Sequence, residues 1–402
     1  MNADLKQQYD SYVLPTYGRY PVTFVSGNGC RLWDADNKEY IDFMSGIGVC
    51  SVGHAHPKWI EAIVTQVGEL AHTSNLYYTE PGGKLAERLC EISGMSGVFF
   101  SNSGAESVEG LIKVARKYSK DKYVTGPSGG TGSTGSRSTI ITLDGSFHGR
   151  TLATLTATGQ EKFHQHFDPF MPGFRHVPVG DITALEAQGD DVCAVLIELI
   201  QGEGGVNPLS EEYVKQIAKL CEERDWLLMI DEVQTGIGRT GTWFAFEEYK
   251  IKPDAVSFAK GIAGGLPLGG FLVNKKLSKT LGPGDHATTY GGNLICCSAA
   301  LTVLDILEPI LPKIEEKGEY IRREIKNMKL PNVKGVRGKG LMLGVEIEGH
   351  APADVNANLL KAGLASLIAG TDVVRFLPPL IIGINDIDAG LEIFEDVMRR
   401  MK

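Results

Sequence analysis

The sequence predicts an α/β protein with a large, mostly parallel sheet covered by helices on both faces and a smaller α+β unit beside it. Three observations carry that expectation. Short, continuously apolar runs such as Val192–Leu199 and Leu227–Ile230 alternate with amphipathic stretches of helical period. Continuous apolarity marks strands buried on both faces, the habit of parallel sheets. Beyond Pro312 the texture changes to charged helix and shorter strand-like segments, and 402 residues are too many for one small core.

Taken in order, Thr23–Val25, Cys30–Asp34 and Glu39–Phe43 alternate around the turn formers Gly27-Asn28-Gly29 and Asp36-Asn37, which predicts a small β element. Helices follow over Pro57–Leu70, where proline suits a first helical position, and over Gly83–Ile92. Val98–Phe100 is a short strand. Ala105–Ser119 is a helix with Val108, Leu111, Ile112 and Ala115 on one face. Strands then fall at Thr139–Leu143, Val192–Leu199, Leu227–Ile230, Ala255–Phe258 and Gly270–Val273, with a helix at Glu211–Arg224. The apolar helix Leu294–Leu307 stops near Pro309, and a charged helix runs from after Pro312 to Met328. Strands at Val333–Val336, Leu341–Ile347 and Val373–Phe376 and helices at Ala353–Ala362 and Asn385–Met401 complete the chain.

These patterns suggest an N-terminal segment over 1–55 joining the small unit, a large unit over 56–308 and a C-terminal α+β unit over 309–402. Residues Thr125–Ser138 read TGPSGGTGSTGSRS, a composition that expects a mobile surface loop. It lacks the Lys-Ser/Thr ending and the preceding strand of a phosphate-gripping P-loop. The formal net charge of -9 argues against nucleic acid. Apolar runs are strand-length and interrupted by charges or glycine, so no membrane span is expected, and Met1–Tyr12 lacks an apolar signal core. Seven cysteines without metal-ligand spacing fit a reducing cytoplasm; the adjacent Cys296-Cys297 pair reads as packing.

Ligands of such sheets lie beyond the carboxyl ends of the strands, so the residues there come first. Lys260 directly follows the run Ala255–Phe258 and precedes a glycine-rich turn. Partial desolvation would favour the neutral amine that a Schiff base needs. Asp231 ends another apolar run. It reads either as a cap on the next turn or as an anion held against a protonated cofactor ring, and no histidine follows either strand to complete a metal site. Ser103 and Glu106 form a capping box by spacing, but the same turn offers the Gly104 and Ala105 N–H groups and a hydroxyl to a phosphate. Phe147-His148-Gly149-Arg150 brings an aromatic plane, donors and a guanidinium to the same edge.

Together with Gly53-His54-Ala55-His56-Pro57, Gln201-Gly202-Glu203-Gly204-Gly205, Asp231-Glu232-Val233-Gln234-Thr235-Gly236, Thr289-Tyr290-Gly291-Gly292-Asn293 and Arg375-Phe376-Leu377-Pro378-Pro379, these motifs resemble the class III, fold type I aminotransferases, and among them the acetylornithine group. The resemblance implies pyridoxal 5'-phosphate held covalently by Lys260, which also carries the transferred proton. It implies Asp231 against the pyridine nitrogen, Phe147 stacked on the ring beside His148, and Gln234 near the ring oxygen. Ser103, Gly104 and Ala105 would hold the phosphate. Thr289 would reach the phosphate of a neighbouring subunit in a homodimer. Arg150 would hold the distant carboxylate of N2-acetyl-L-ornithine and Arg375 the α-carboxylate of 2-oxoglutarate, with Glu203 masking Arg375 in between. Two departures stand out. The Thr125–Ser138 segment replaces a short turn, and Leu294-Ile295 stands where Pro-Leu is usual, a change expected to alter the helix start more than cofactor contacts.

Overall fold

The computed structural model describes residues 3–123 and 137–401. Nearly all of the Gly/Ser/Thr-rich segment, expected as a mobile loop, lies outside the described residues. At the centre is a seven-stranded sheet in the order Gly97–Ser101, Gly269–Val273, Ala255–Phe258, Leu227–Asp231, Val192–Ile197, Thr139–Leu143, Phe174–Val177. The last five run parallel, and Gly269–Val273 is antiparallel to both of its neighbours. Every residue of Val192–Ile197 and Leu227–Asp231 is buried, as continuous apolar runs require. Strand alternation sends Val195, Ile197, Leu228 and Ile230 to one face, where they join Ile217 and Leu220 of the helix Glu211–Arg224. Ala194, Leu196, Leu227 and Met229 face the other way, onto Val108, Leu111 and Ile112 of the helix Gly104–Tyr123.

That second helix is pressed unusually close to the sheet. A β-carbon at Gly110 would stand 2.1 Å from the Phe271 ring, so only glycine lets the helix lie where it does. Leu294–Leu307 packs on Pro57–Glu69 and Glu80–Ser93 with its apolar residues inside. Not every apolar run is strand-length. The helical run Leu294–Asn327 is long and apolar enough to cross a membrane by length and composition. It is interrupted by a 3-10 segment over Glu308–Lys313, and Val303, Leu304 and Leu307 are wholly enclosed by protein.

Two smaller sheets flank the large one. Phe24–Asn28, Arg31–Asp34 and Glu39–Asp42 form the expected N-terminal hairpins, and Glu39–Asp42 pairs in parallel with Leu364–Ala365 from the far end of the chain. The other sheet orders Val333–Lys339, Met342–Ile347, Val373–Phe376 and Leu367–Ala369, with Ile314–Asn327 and Pro352–Ala362 packed on it. A buried guanidinium joins this region to the large sheet: Arg239 Nη1 donates to the carbonyls of Leu341 at 3.1 Å and Pro378 at 2.6 Å.

Sequence reading missed the edge strand Phe174–Val177, the short strands near Leu364 and Leu367, and the helices Ala3–Tyr12 and Leu152–Ala157. It also began the helix Glu80–Ser93 three residues late. Pro57 does open its helix. The helix start that lacks the usual proline is capped instead by Asn293, whose side chain accepts from Ile295 N at 3.0 Å and Cys296 N at 3.4 Å.

Candidate active site

Six of the seven strands, all but Gly269–Val273, run in one direction, and the candidate residues gather at their carboxyl ends on one edge of the large sheet. Asp231 is the last residue of its strand, and Lys260 follows Ala255–Phe258 after a single residue. Lys260 adopts φ 41°, a left-handed conformation that turns the chain sharply into the following 3-10 segment. Ser51 secures that turn by donating to the Gly261 carbonyl at 2.7 Å.

Asp231 is only 5 % exposed, and among the described residues its ion-pair partner is His148 and no lysine or arginine. Its Oδ1 accepts from Ser257 Oγ at 2.9 Å and from Val233 N at 3.1 Å, while Oδ2 accepts from His148 Nδ1 at 2.8 Å. These bonds fix the carboxylate in place, and the one to His148 sets that ring's tautomer. His148 Nε2, on the far side of the ring, is buried without a partner. The Lys260 amine is pulled down from its ordinary value to about 8, first by burial and then by the positive charge of Arg375; Asp231, Glu198 and Glu203 oppose the shift.

Arg375 comes up from the strand Val373–Phe376. It is 3 % exposed, and burial holds its guanidinium below the usual range. Nη1 donates to the Gly202 carbonyl at 3.1 Å and reaches Gln234 Oε1 at 3.4 Å; Nη2 lies 3.4 Å from Glu203 Oε2. Nε has no partner. The pairing with Glu203 is therefore long, and the Glu203 side chain is 37 % exposed.

The Ser103 turn follows the strand Gly97–Ser101. The capping reading holds in part: the Ser103 hydroxyl caps the helix, but Glu106 reaches Asn102 and not the Ser103 N–H. Ser103 Oγ accepts from Glu106 N at 3.3 Å, and Glu106 Oε2 turns back to Asn102, accepting from its N–H at 2.6 Å. The carboxylate thus occupies Asn102 rather than the first turn of the helix, where the Gly104 and Ala105 N–H groups have no intrahelical acceptor. A β-carbon at Gly104 would stand 2.7 Å from Val233, so this turn and the loop after Asp231 are in contact.

Phe147 is held by its N–H, which donates to Glu198 at 2.8 Å. Arg150 is exposed and lies with its guanidinium 4.0 Å from the Phe163 ring centroid and 5.4 Å from that of Phe147. Thr289 makes none of the hydrogen bonds that hold Asp231, His148 and Arg375. It is exposed on the loop before Leu294, beside His72, Ser74 and Asn75, while its neighbour Thr288 accepts from Asn102 at 3.2 Å. Sequence reading missed Glu198, which is buried and pushed up to about 7, chiefly by burial. The signal was available: a lone carboxylate interrupts the apolar run Val192–Leu199.

The implied cofactor fits these residues. Helix N-terminal N–H groups suit a phosphate, a buried carboxylate fixed by hydrogen bonds suits a protonated ring nitrogen, and an amine near 8 suits a carbonyl.

Known proteins bear on the same point. The family model for class-III aminotransferases matches residues 12–398. The acetylornithine aminotransferase of Haemophilus ducreyi is 48 % identical, with 100 % of both chains covered. That of Methanocaldococcus jannaschii is 45 % identical over 99 % of this chain and 98 % of its own. Among solved structures, the ornithine aminotransferase of Toxoplasma gondii superposes with a TM-score of 0.92 at 30 % identity, covering 99 % of this chain and 95 % of that one. The N-acetylornithine aminotransferase of Stenotrophomonas maltophilia does so with 0.83 at 32 % identity and 98 % of each chain. Since the match runs nearly end to end and takes in every strand around Lys260, the chain belongs to the class-III aminotransferases, pyridoxal-phosphate-dependent transaminases of fold type I.

Proposed function

We propose that the chain moves the terminal amino group of N2-acetyl-L-ornithine to 2-oxoglutarate, yielding N-acetyl-L-glutamate 5-semialdehyde and L-glutamate. It would work in the cytoplasm as a homodimer, without nucleic-acid or membrane partners. When bound, the cofactor supplies an electron sink that makes the carbon beside the reacting nitrogen acidic. Lys260 carries the proton to and from that carbon, and its depressed basicity keeps a useful fraction of amine neutral. Asp231, braced by Ser257 and His148, would keep the ring nitrogen protonated. Ser103, Gly104 and Ala105 would hold the phosphate, Phe147 would cover the ring and Gln234 would serve its oxygen. Thr289, which is exposed, would be available to a partner's phosphate. The organisation follows as 1–55 and 309–402 flanking a cofactor-binding unit over 56–308.

The observation that carries the substrate reading is the loose Arg375–Glu203 pair beside Lys260. Acetylornithine presents its terminal amine and leaves its carboxylate several bonds away, within reach of Arg150. 2-Oxoglutarate must place a carboxylate next to the reacting carbon. A buried arginine free of its mask would bind that group in bidentate fashion. A half-exposed glutamate at 3.4 Å is strong enough to occupy Arg375 and weak enough to yield to a better acceptor.

Side-by-side turnover of N-acetylornithine, ornithine, succinylornithine, succinyl-diaminopimelate and 4-aminobutyrate tests this reading. Acetylornithine should exceed free ornithine and 4-aminobutyrate by about tenfold or more in kcat/KM. A preference for ornithine or 4-aminobutyrate would reject the substrate assignment and leave the transaminase chemistry intact.

A further inference from the structure

We infer that Glu198 is a positioning residue that clamps together the two loops of the site, one carrying Phe147 and His148 and the other Gly202 and Glu203. Glu198 sits immediately beyond the fully buried strand Val192–Ile197 and is 7 % exposed. Its Oε2 accepts from Phe147 N at 2.8 Å, and its Oε1 accepts from Gly202 N at 3.3 Å. The Gly202 carbonyl in turn accepts from Arg375 Nη1 at 3.1 Å. One carboxyl group therefore sets the aromatic platform directly and supports Arg375 through a single glycine. A β-carbon at Gly202 would lie 2.5 Å from Gln234 Oε1, so a larger residue there would displace the Gln234 amide.

The placement has a further consequence. Glu198 acts electrostatically on Lys260 and Arg375 and feels His148 and Asp231, so it lies among the main groups of the crevice. A carboxylate kept there only to satisfy itself would need no bond to two separate functional loops. With two, the distance between the ring platform and the carboxylate-binding arginine becomes a property of one side chain. The part concerning Arg375 rests on the reading of the Arg375–Glu203 pair given above.

Glu198→Gln keeps the shape and one acceptor oxygen. Its oxygen retains the shorter bond to Phe147, and its NH2 group faces the Gly202 N–H, so the Glu203 loop is released. We expect KM for 2-oxoglutarate to rise about tenfold while the dissociation constant of pyridoxal phosphate, measured by reconstituting apo-protein, stays within about twofold. Glu198→Ala releases both loops, and that dissociation constant should then rise about tenfold as well. Glu198→Asp, which keeps the charge but shortens the reach, should resemble Ala more than Gln and serves if Gln does not fold. Arg375→Ala is the reference. If it leaves the 2-oxoglutarate step intact, the reading of Arg375 fails, and the cofactor measurement alone still judges the clamp. If Arg375→Ala impairs that step but Glu198→Gln and Glu198→Ala bind 2-oxoglutarate and cofactor like the unaltered protein, the clamp is overturned. It is equally overturned if their losses match only a general fall in unfolding free energy.

Discussion

At the scale of single residues, the site is a set of buried charges whose costs are met by one another. Lys260 lies in a crevice with Asp231, Glu198 and Glu203, yet burial and Arg375 still prevail and lower its basicity to about 8. The sign gives a test. Only neutral amine attacks the cofactor carbonyl, so the rate at which apo-protein captures pyridoxal phosphate should climb as pH rises through about 8 and then level off. An ordinary lysine would keep climbing toward its usual pKa of about 10.4. Arg375→Ala removes a positive charge that depresses Lys260, so the midpoint should move to higher pH. Stopped-flow absorbance across the pH range measures both. A midpoint unchanged by the substitution would refute the electrostatic coupling. Lys260→Ala should abolish covalent capture and reduce turnover by several orders of magnitude while the fold survives. Retention of a borohydride-fixable cofactor by that variant would refute the assignment.

At the scale of elements, function depends on where helix ends sit relative to strand ends. The helix Gly104–Tyr123 presents its N-terminus to the crevice and is seated against Phe271 through Gly110. Gly110→Ala should force the helix outward, cost about 1–3 kcal/mol by overpacking and weaken cofactor binding, although residue 110 is remote from the cofactor. Chemical denaturation and apo-protein titration check the two effects; a stable variant with normal affinity would contradict this account of the helix. Such close approaches explain what was legible in the sequence and what was not. Val192–Ile197 and Leu227–Asp231 declare themselves because every position is buried. Phe174–Val177 does not, since an edge strand with exposed Arg175 carries no continuous apolar run. The antiparallel direction of Gly269–Val273 was equally hidden, because apolarity reports burial and not strand direction. Motif residues were found by resemblance, whereas Glu198 and Arg239 were missed. Their importance lies in buried hydrogen bonds to distant loops, which spacing along a chain does not reveal.

At the scale of the whole molecule, the large sheet supplies the strand ends that carry Asp231, Lys260 and Glu198, and the sheet near the C-terminus supplies Arg375. Arg239 ties these parts together at the Leu341 carbonyl and at the Pro378 carbonyl, three residues beyond Arg375. In the proposed switch, Arg375 and Glu203 let one crevice serve two differently oriented carboxylates. Pre-steady-state measurement of each half-reaction separately, in the unaltered protein and in Arg375→Ala, tests this most directly. Loss of a buried arginine–carboxylate contact should slow the half-reaction with 2-oxoglutarate about a hundredfold. The half-reaction with N-acetylornithine should stay within about fivefold, because its carboxylate is assigned to Arg150. Equal losses in the two halves would contradict the switch.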